Sequence, residues 1–260
     1  NKFRMEKRAK SGILRGREFL MKDLYSFHRD ESDLTLYYDI MKKAYQEVFK
    51  RCGIGHVTYF TYASGGTFSE YSHEFQALTP ATAGGQAGED TIYICDRCLI
   101  AINKEIKEKQ PKCPECQADT FKEAKAIDVG NIFPLKRKFS DAFGLTFKDE
   151  KGDIQPVLIG CYGIGVSRLM GAIVEVLSDM NGIVWPESVA PFRVHLVSLG
   201  GKRTESVTTA SEILYRDLKN NGIDLSPIDL KENFSIEMII KPNFNQADNA
   251  RIIGNTNDII

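Results

Sequence analysis

The 260-residue chain carries 34 basic and 35 acidic residues, and 42% of its residues are hydrophobic. This composition is typical of a soluble globular protein with one large or two ordinary domains. The neutral total argues against a strongly basic nucleic-acid binder, although a local basic face stays open. No stretch reaches the ~18–20 apolar residues of a membrane-spanning helix. The polar first residues carry neither a signal peptide nor an initiator Met, so we expect a chain that begins inside a longer protein.

The first part of the chain predicts a strand, a helix and a second strand. Residues 15–28 interleave apolar and polar side chains as a half-buried strand does, and residues 33–51 carry apolar side chains at helical spacing. Gly53 and Gly55 follow that pattern and predict the end of the helix. Residues 56–62 are β-branched and aromatic, which again predicts a strand.

Two more buried strands and a domain boundary are predicted later in the chain. Apolar runs at 127–133 and 157–161 predict the strands, and a glycine-rich turn is expected to lead from the second into a helix at about 166–178. Two prolines within Trp185–Pro191 cannot sit inside a regular element, so we place a domain boundary there.

The last part of the chain predicts a small α/β domain. A strand is expected at 193–198 and a helix at 205–219, and Asn221 and Gly222 are expected to end that helix. The residues expected to point inward from it are Ile213, Leu214 and Leu218.

Arginines cluster around an aromatic residue near the start of the chain. Arg4 and Glu6 are followed by Arg15, Phe19 and Asp23. Guanidinium groups bind phosphate oxygens in bidentate fashion, an aromatic face stacks on a base, and a carboxylate accepts from an exocyclic amine. The group therefore suits a nucleotide, although a basic segment taken alone is more often a solvated surface.

A glycine series at 160–165 precedes Arg168. Glycines at the junction of a strand and a helix let the backbone approach a ligand, and an arginine on the first helical turn brings a cation to it. The spacing differs from that of the dinucleotide-binding fingerprint and of the P-loop, so the series alone is a weak signal.

Together, and in this order, the two groups resemble motifs 2 and 3 of the class II aminoacyl-tRNA synthetases. Motif 2 reads Arg-x-Glu, a loop, then Arg-x-x-x-Phe-x-x-x-Asp, and motif 3 is a glycine series that ends in arginine. The resemblance implies that Arg4 binds the α-phosphate of ATP, and that Arg15 and Arg168 bind its terminal phosphates; these three are the expected catalytic residues. It further implies that Glu6 binds the adenine amine and that Phe19 stacks on adenine. The full expected ATP-binding set is Arg4, Glu6, Arg15, Phe19, Asp23, Asp128 and Arg168.

Within this class, the sequences of several segments are similar to those of the bacterial prolyl-tRNA synthetases. The matching segments are Leu14–His28, Ser72–Phe75, Val129–Phe133, Gly160–Gly165 and Val184–Pro186. The resemblance implies that L-proline is joined to tRNA(Pro) through a prolyl-adenylate, with ATP and Mg²⁺, by a homodimer in the full-length form. Two family features are expected upstream of the first residue: motif 1, which builds the dimer interface, and a Thr-x-Glu loop that binds the substrate nitrogen.

The same resemblance implies an amino-acid pocket. Its expected residues are His73, Glu74, Phe133 and Gly163. The first two supply polar groups for the imino nitrogen and Phe133 supplies an apolar wall; a hydrogen-bonded structural role for His73 is the alternative. Asp128 stands where the family usually has a glutamate near the metal-bound phosphates, and its side chain is one methylene shorter.

Four of the six cysteines form two Cys-x-x-Cys pairs. Cys95 and Cys98 are followed, after fourteen residues, by Cys113 and Cys116. This is the spacing of a zinc ribbon, in which each pair supplies two thiolates to a tetrahedral structural Zn²⁺. A site that has lost its metal and a redox pair are the alternatives. Cysteines of this kind without an export signal also predict a reducing cytoplasm.

We therefore expect an α+β fold. A class II catalytic domain with an antiparallel sheet spans 1–190, contains a zinc-ribbon-like insertion at 89–124, and precedes an incomplete α/β anticodon-binding domain at 191–260. The interval 76–127 holds the ribbon where bacterial prolyl enzymes commonly carry a domain that hydrolyses mischarged alanyl-tRNA. Two rivals stay open: another class II ligase, such as the threonyl or glycyl enzyme, and a synthetase-like protein that binds tRNA or regulates another protein without catalysis.

Overall fold

The computed structural model describes residues 1–7, 9, 11–80, 88–194, 196, 204–223, 238–239 and 251–252. The chain divides into two compact units, Asn1–Trp185 and Pro186–Ile260. The strands of the first unit are β1 (Lys2–Phe3), β2 (Glu18–Phe19), β3 (Met21–His28), β4 (Thr58–Ser64), β5 (Tyr71–Leu78), β6 (Asp90–Cys95), β7 (Ala101–Asn103), β8 (Phe121–Lys136), β9 (Thr146–Lys148), β10 (Ile154–Pro156) and β11 (Leu158–Gly165). Its helices are α1 (Glu31–Arg51), α2 (Lys104–Lys107), α3 (Lys138–Phe143) and α4 (Val166–Leu177), with 3-10 turns at Gly12–Leu14 and Gly55–Val57.

A seven-stranded sheet in the order β3-β11-β8-β5-β4-β7-β6 forms the body of the first unit. Neighbouring strands are antiparallel, except for β4 and β7, which are parallel. The 16-residue strand β8 is long enough to pair with β6 near its start, with β5 in its middle and with β11 near its end. The pairings β8-β5-β4-β7-β6-β8 therefore close into a ring. The expected mixture of helices with an antiparallel sheet is confirmed.

Helix α1 forms where local sequence signals agree. The side chain of Asp30 caps it by accepting the backbone N–H of Asp33 at 2.8 Å, and the acidic first turn and basic last turn both match the helix dipole. Gly53, at φ 78°, ends the helix in the left-handed conformation that glycine adopts without strain. The helix predicted at 33–51 is confirmed and begins at Glu31.

Helix α1 packs on one face of the sheet, and the alternation of strand side chains decides which residues meet it. Tyr45 and Phe49 of the helix lie with their ring centroids 5.3 Å from that of Phe75 in β5, and all three rings are almost completely buried. In β3, Lys22 donates a hydrogen bond to Tyr45 Oη at 2.6 Å, so the even-numbered residues of this strand point towards the helix. Met21 and the other odd-numbered residues of β3 consequently point to the opposite face.

The glycine series at 160–165 is a strand, and not the glycine-rich turn that we predicted. It forms most of β11, which pairs with β3 on one side and with β8 on the other. Because both neighbours satisfy its backbone hydrogen bonds, the segment stays extended despite its glycines. The helix predicted after it is confirmed as α4.

The second unit contains helix α5 (Thr204–Asn220) and two short antiparallel strands, β12 (Met238–Ile239) and β13 (Arg251–Ile252). Gly222, at φ 73°, ends α5 as predicted. Half of the strand predicted at 193–198 lies outside the described residues, as does most of the predicted anticodon-binding domain.

The inner face of α5 differs from the prediction. Ser211 is buried and Leu214 and Leu218 are half-buried, which marks a face with helical spacing. Ile213 is exposed, because two residues along a helix from Ser211 lead to the opposite side.

Candidate active site

A cleft on the face of the sheet opposite α1 brings together most of the residues that the two motifs predict. The predicted residues in its lining are Arg4, Glu6, Arg15, Phe19, Asp128, Gly163 and Arg168. They come from separate parts of the chain: the segment from β1 to β2, then β8, β11 and the first turn of α4. The two motifs, which are far apart in sequence, therefore share one site.

The pairing of β1 with β2 places a cation beside an aromatic ring. Lys2 lies opposite Phe19 in this antiparallel pair, and the backbone N–H of Arg4 bonds to the carbonyl of Arg17 at 2.9 Å. The guanidinium carbon of Arg4 consequently stands 5.1 Å from the centroid of the Phe19 ring. A planar base that stacks on this ring has a positive charge within reach of its own phosphate.

Close contacts hold the first half of α4 against the segment that precedes β3. A Cβ at Gly171 would come within 2.8 Å of the Leu14 side chain, so glycine is what allows the helix to approach this closely. The backbone N–H of the first residue of α4 also bonds to the carbonyl of Leu20 at 2.9 Å. These contacts bring Arg168, on the first turn, to the side of the cleft that holds Arg15.

Glu89, which no motif marks, lies between these two arginines. Its side chain is only 5% exposed. The carboxylate accepts Arg15 Nε–H at 2.9 and 3.0 Å, Arg15 Nη2–H at 2.8 Å and Arg168 Nη2–H at 2.7 Å. The hydrogen bond to Glu89 raises the pKa of Arg15 above its ordinary value, so this guanidinium is firmly charged. Sequence reasoning missed Glu89 because its partners lie 74 and 79 positions away in the chain.

Two carboxyl groups, Asp128 and Glu74, lie close together in a buried setting, and the first of them is near Arg168. Asp128 Oδ2 is 3.7 Å from Arg168 Nη1, and burial raises the pKa of Asp128. Glu74 accepts hydrogen bonds from Gln76 at 2.8 Å and from Asn103 at 3.0 Å. Burial, together with the nearby charge of Asp128, raises the pKa of Glu74 to about 8, so this group is mostly protonated at neutral pH. Asp128 lines the cleft, whereas Glu74 does not.

As a correction to the prediction, His73 lies on the other face of the sheet. Strand alternation sends it away from the side on which Glu74 lies and towards α1, where its Nδ1 is 2.7 Å from Tyr38 Oη. Its ring stacks on Phe60 at a centroid distance of 4.7 Å. Burial, followed by the charge of Lys42, lowers the pKa of His73 to about 4, so the ring is neutral. This placement favours the alternative interpretation, a hydrogen-bonded structural histidine.

Two further predicted residues lie outside the lining of the cleft. Asp23 is opposite Gly163 in the register of β3 with β11, and its carboxylate binds Lys2 Nζ at 2.7 Å. Phe133 packs against Phe68 at a centroid distance of 5.5 Å. An ion pair and an aromatic contact thus engage the side chains that we expected on ATP and on proline.

The lining also contains residues that the motifs did not mark, among them Met21 and Asn131. Asn131 is opposite Gly163 in the register of β8 with β11, and its buried Oδ1 has no hydrogen-bond partner among the described residues. Gly163 keeps this part of the cleft open, since a Cβ there would come within 2.5 Å of Met21 Cε. Side-chain alternation is the signal that marks both residues, but it becomes usable only once the strand register is known.

The four paired cysteines form one cluster between the last residue of β6 and the start of β8. Their sulfur atoms all lie within 4.8 Å of one another. Cys95 Sγ is 3.5 Å from Cys116 Sγ, and Cys98 Sγ is 3.4 Å from Cys113 Sγ. Thiolates at the Zn–S distance of about 2.3 Å stand roughly 3.8 Å apart in a tetrahedron, so the cluster has the size and donor set of a Zn²⁺ site. Both short contacts join sulfurs of different pairs, unlike a disulfide within one Cys-x-x-Cys pair.

The two cysteine pairs share one backbone shape. Leu99 and Gln117, the residues that follow the pairs, are both left-handed, with φ of 62° and 61°. Their N–H groups bond to the carbonyls of Cys95 and Cys113 at 3.0 and 2.9 Å. Burial opposes the ionisation of Cys95, but backbone N–H groups of its turn outweigh burial and lower its pKa to about 7, whereas burial prevails at Cys98 and raises the pKa of that thiol. Such paired turns present thiolates to a single ion.

Known proteins resemble this chain along most of its length. The family model described as tRNA synthetase class II core domain (G, H, P, S and T) matches residues 1–177. A proline--tRNA ligase of Sulfurimonas denitrificans is 34% identical over 256 residues, which cover 91% of this chain and 57% of that protein. A proline--tRNA ligase of Ehrlichia canis is 35% identical over 252 residues, which cover 88% of this chain and 58% of that protein. The chain thus spans less than two thirds of the length of these relatives.

A solved structure has the same fold. The crystal structure of the prolyl-tRNA synthetase of Cryptosporidium parvum, complexed with L-proline and AMP, matches with a TM-score of 0.59. The match covers 92% of this chain and 46% of that one at 16% identity, a likeness that shows the fold alone. The predicted resemblance to the prolyl enzymes is confirmed by the relatives. The chain belongs to the family of class II tRNA synthetase core domains (G, H, P, S and T).

Proposed function

We propose that the complete protein joins L-proline to tRNA(Pro) in two steps, with prolyl-adenylate as the intermediate. The observation that carries this proposal is the convergence of Arg4, Arg15 and Arg168 on one cleft that also contains the Phe19 ring. Three cations around an aromatic platform suit a nucleoside triphosphate. The similarity to proline--tRNA ligases supports proline as the amino acid.

In the first step, a carboxylate oxygen of proline bonds to the α-phosphorus of ATP, and the bond to the bridging oxygen breaks as pyrophosphate leaves. We place adenine on Phe19, with its exocyclic amine on the Glu6 carboxylate. Arg4, 5.1 Å from the ring centroid, is then next to the α-phosphate, while Arg15 and Arg168 bind the leaving phosphates. Little proton transfer is needed, so catalysis consists of aligning the reactants and stabilising the developing negative charge. In the second step, a hydroxyl oxygen of the terminal ribose of the tRNA bonds to the carboxyl carbon of the adenylate, the bond from that carbon to the phosphate oxygen breaks, and AMP leaves together with the hydroxyl proton.

Asp128 is the proposed protein ligand for Mg²⁺. Its carboxylate lines the cleft beside Arg168. Mg²⁺ usually binds through one or two carboxylates together with substrate phosphates. The Asp128 carboxylate and the phosphates of ATP would be such a set of ligands. The bound ion would supply positive charge to the phosphates, and an aspartate retains the negative charge of the glutamate usual in the family.

Gly163, Met21 and Asn131 form the proposed amino-acid end of the cleft. The glycine leaves room, and Met21 offers an apolar surface to the pyrrolidine ring. The unpartnered Oδ1 of Asn131 is an acceptor for a substrate N–H. A hydrogen bond to a buried acceptor that otherwise has no partner adds the most to the free energy of binding. Glu74 does not line the cleft itself, but it lies opposite Asn131 in the register of β5 with β8, and we keep it as a proposed neighbour of this pocket.

The proposed domain organisation is a catalytic domain at 1–190 with a zinc ribbon at 89–124, followed by an anticodon-binding domain at 191–260. The cysteine cluster supports the ribbon and the Zn²⁺ it would hold. The anticodon-binding domain is supported by its resemblance in sequence. A homodimer of the complete protein remains a prediction from the same resemblance.

The decisive experiment is amino-acid-dependent ATP–pyrophosphate exchange by the complete gene product. We expect proline to support exchange and threonine and glycine not to, followed by charging of tRNA(Pro) with proline. Faster exchange with threonine or glycine would identify another class II ligase. ATP binding without exchange for any amino acid would favour the non-catalytic rival.

The cellular location is also a proposal. Among the described residues, none of the helices combines the length and the apolar character needed to cross a membrane. A relative from Schizosaccharomyces pombe, 38% identical over 213 residues that cover 80% of this chain and 48% of that protein, is named as mitochondrial. We propose the cytoplasm for this protein, supported by six cysteines that form no disulfide.

The segment between the two motifs, residues 76–127, is too short to hold a domain that hydrolyses mischarged tRNA. Residues 76–127 include β6, β7 and the cysteine cluster, and a further domain of the usual ~100 residues does not fit there. Alanine is smaller than proline, and an apolar pocket rejects missing methylenes by only about 1–3 kcal/mol each. We therefore expect the complete protein to form some alanyl-tRNA(Pro) and to leave it intact. Pre-formed alanyl-tRNA(Pro) should decay at the enzyme-free rate, and faster hydrolysis would reveal an editing centre elsewhere.

A further inference from the structure

Glu89 is a buried carboxylate at the meeting point of two catalytic candidates. Four hydrogen-bond contacts at 2.7–3.0 Å join it to Arg15 and Arg168, and its side chain is 5% exposed. A buried carboxylate is costly unless it is paired and hydrogen-bonded, and here both conditions are met. Without the negative charge of Glu89, the two positively charged guanidinium groups would repel each other. Glu89 therefore sets where both of them lie.

The hydrogen bonds leave part of each guanidinium available. Arg15 presents its Nε–Nη2 edge to Glu89, while its Nη1 is 3.5 Å from Glu6. Arg168 uses Nη2, and its Nη1 is 3.7 Å from Asp128 Oδ2, beyond hydrogen-bond distance. A guanidinium has five N–H donors, so Glu89 does not exhaust either group. Both arginines also line the cleft, which leaves donors for an anion within it.

We propose that Glu89 is a positioning residue that holds Arg15 and Arg168 side by side, so that their remaining N–H groups bind the β- and γ-phosphates of ATP. The proposal rests on the proposed function, because it assigns these phosphates to the cleft. Arginines fixed in advance lose less side-chain freedom when the nucleotide binds and need no rearrangement as charge develops. Glu89 itself binds one edge of each guanidinium and does not contact the reacting atoms.

The test uses the complete gene product with Glu89→Gln, which keeps the size of the side chain and removes its charge. Binding of ATP, inorganic pyrophosphate and AMP is measured by calorimetry with Mg²⁺ present. We expect the Kd of ATP and of pyrophosphate to rise roughly tenfold, because displaced arginines lose charge-assisted hydrogen bonds. The Kd of AMP should stay within about twofold, since AMP lacks the terminal phosphates. In the exchange assay, the KM for ATP should rise while the KM for proline stays within about twofold.

Two further variants keep the outcome clear. Glu150→Gln removes an exposed carboxylate in the turn between β9 and β10 and should change none of these constants. Glu89→Asp retains the charge and should show the same pattern with a smaller effect; it also serves if Glu89→Gln does not fold. Equal weakening of ATP and AMP would indicate a merely structural role and overturn the proposal. Tighter binding of ATP and pyrophosphate to Glu89→Gln would show that Glu89 competes with phosphate, which also overturns it.

The same measurements separate this proposal from the proposed function. If the unaltered protein binds ATP but shows no proline-dependent exchange, the proposed function fails. The contrast between pyrophosphate and AMP in Glu89→Gln still decides the role of Glu89 in that case. If exchange is normal in the unaltered protein and Glu89→Gln binds ATP and pyrophosphate unchanged, the role of Glu89 fails alone.

Discussion

Replacing Arg168 by alanine is expected to lower proline-dependent ATP–pyrophosphate exchange by roughly 10²–10³-fold, the usual effect of removing one group that stabilises charge in a transition state. Arg168 lines the cleft and its side chain is 20% exposed, so we expect it to act on the phosphates in a partly desolvated setting. The loss should appear in kcat as well as in the KM for ATP, because the charge on the leaving pyrophosphate grows as the bond breaks.

A matched control is available on the surface. Arg29 is largely exposed and its ion pair with Asp30 lies in solvent, so Arg29→Ala should leave exchange within about twofold. Arg168→Lys should recover only part of the activity, because a compact ammonium cannot reproduce the planar set of donors. An Arg168→Ala protein that folds normally and exchanges at nearly the original rate would remove Arg168 from the phosphate site.

The second large effect is expected at the cysteine cluster. The purified protein should contain one zinc ion per chain, and Cys113→Ser should release it. Cys113 is fully buried, and metal binding contributes on the order of 10 kcal/mol in small zinc domains, so the Tm should fall far more than for a surface substitution. The damage should extend beyond the ribbon, since Glu115, between two of the cysteines, accepts a hydrogen bond from Tyr62 of β4 at 2.6 Å.

Metal analysis and thermal unfolding check this prediction together. Cys52→Ser is the control, because Cys52 ends α1 outside the cluster, and this variant should retain one zinc. A chelator should lower the Tm of the control and have little further effect on Cys113→Ser. Protein expressed in zinc-replete medium that holds no zinc, and whose four paired thiols all react freely, would contradict the ribbon.

Local features of this protein could be predicted because their causes are local. Helix α1 has its cap at Asp30 and its stop at Gly53, both within a turn of its ends. The cysteine pairs carry their turn geometry within five residues, and the two pairs fold alike. The residue types and the spacing of the arginines and the aromatic residue in the two motifs likewise predict a nucleotide site.

Placement on one face or the other could not be predicted, because it depends on strand register. A shift of one residue in β5 would exchange the faces of His73 and Glu74, and the pairing of β5 with β8 is itself irregular between Phe75 and Gln76. Asp23 forms an ion pair with Lys2, and Phe133 packs against Phe68. No local sequence pattern indicates either contact.

By itself the sequence determined the family resemblance and the helices α1 and α4. It also predicted the phosphate-binding role of Arg4, Arg15 and Arg168 and the metal-binding role of the four cysteines. Only the tertiary structure decided that Glu89 lies between Arg15 and Arg168, that Met21 and Asn131 line the cleft, and that His73 faces the helix. The physical reason is the range of the interactions. Caps, turns and motif spacing act over a few residues, whereas the pairing of β3, β11 and β8 brings together side chains more than a hundred positions apart, and no local pattern records that register.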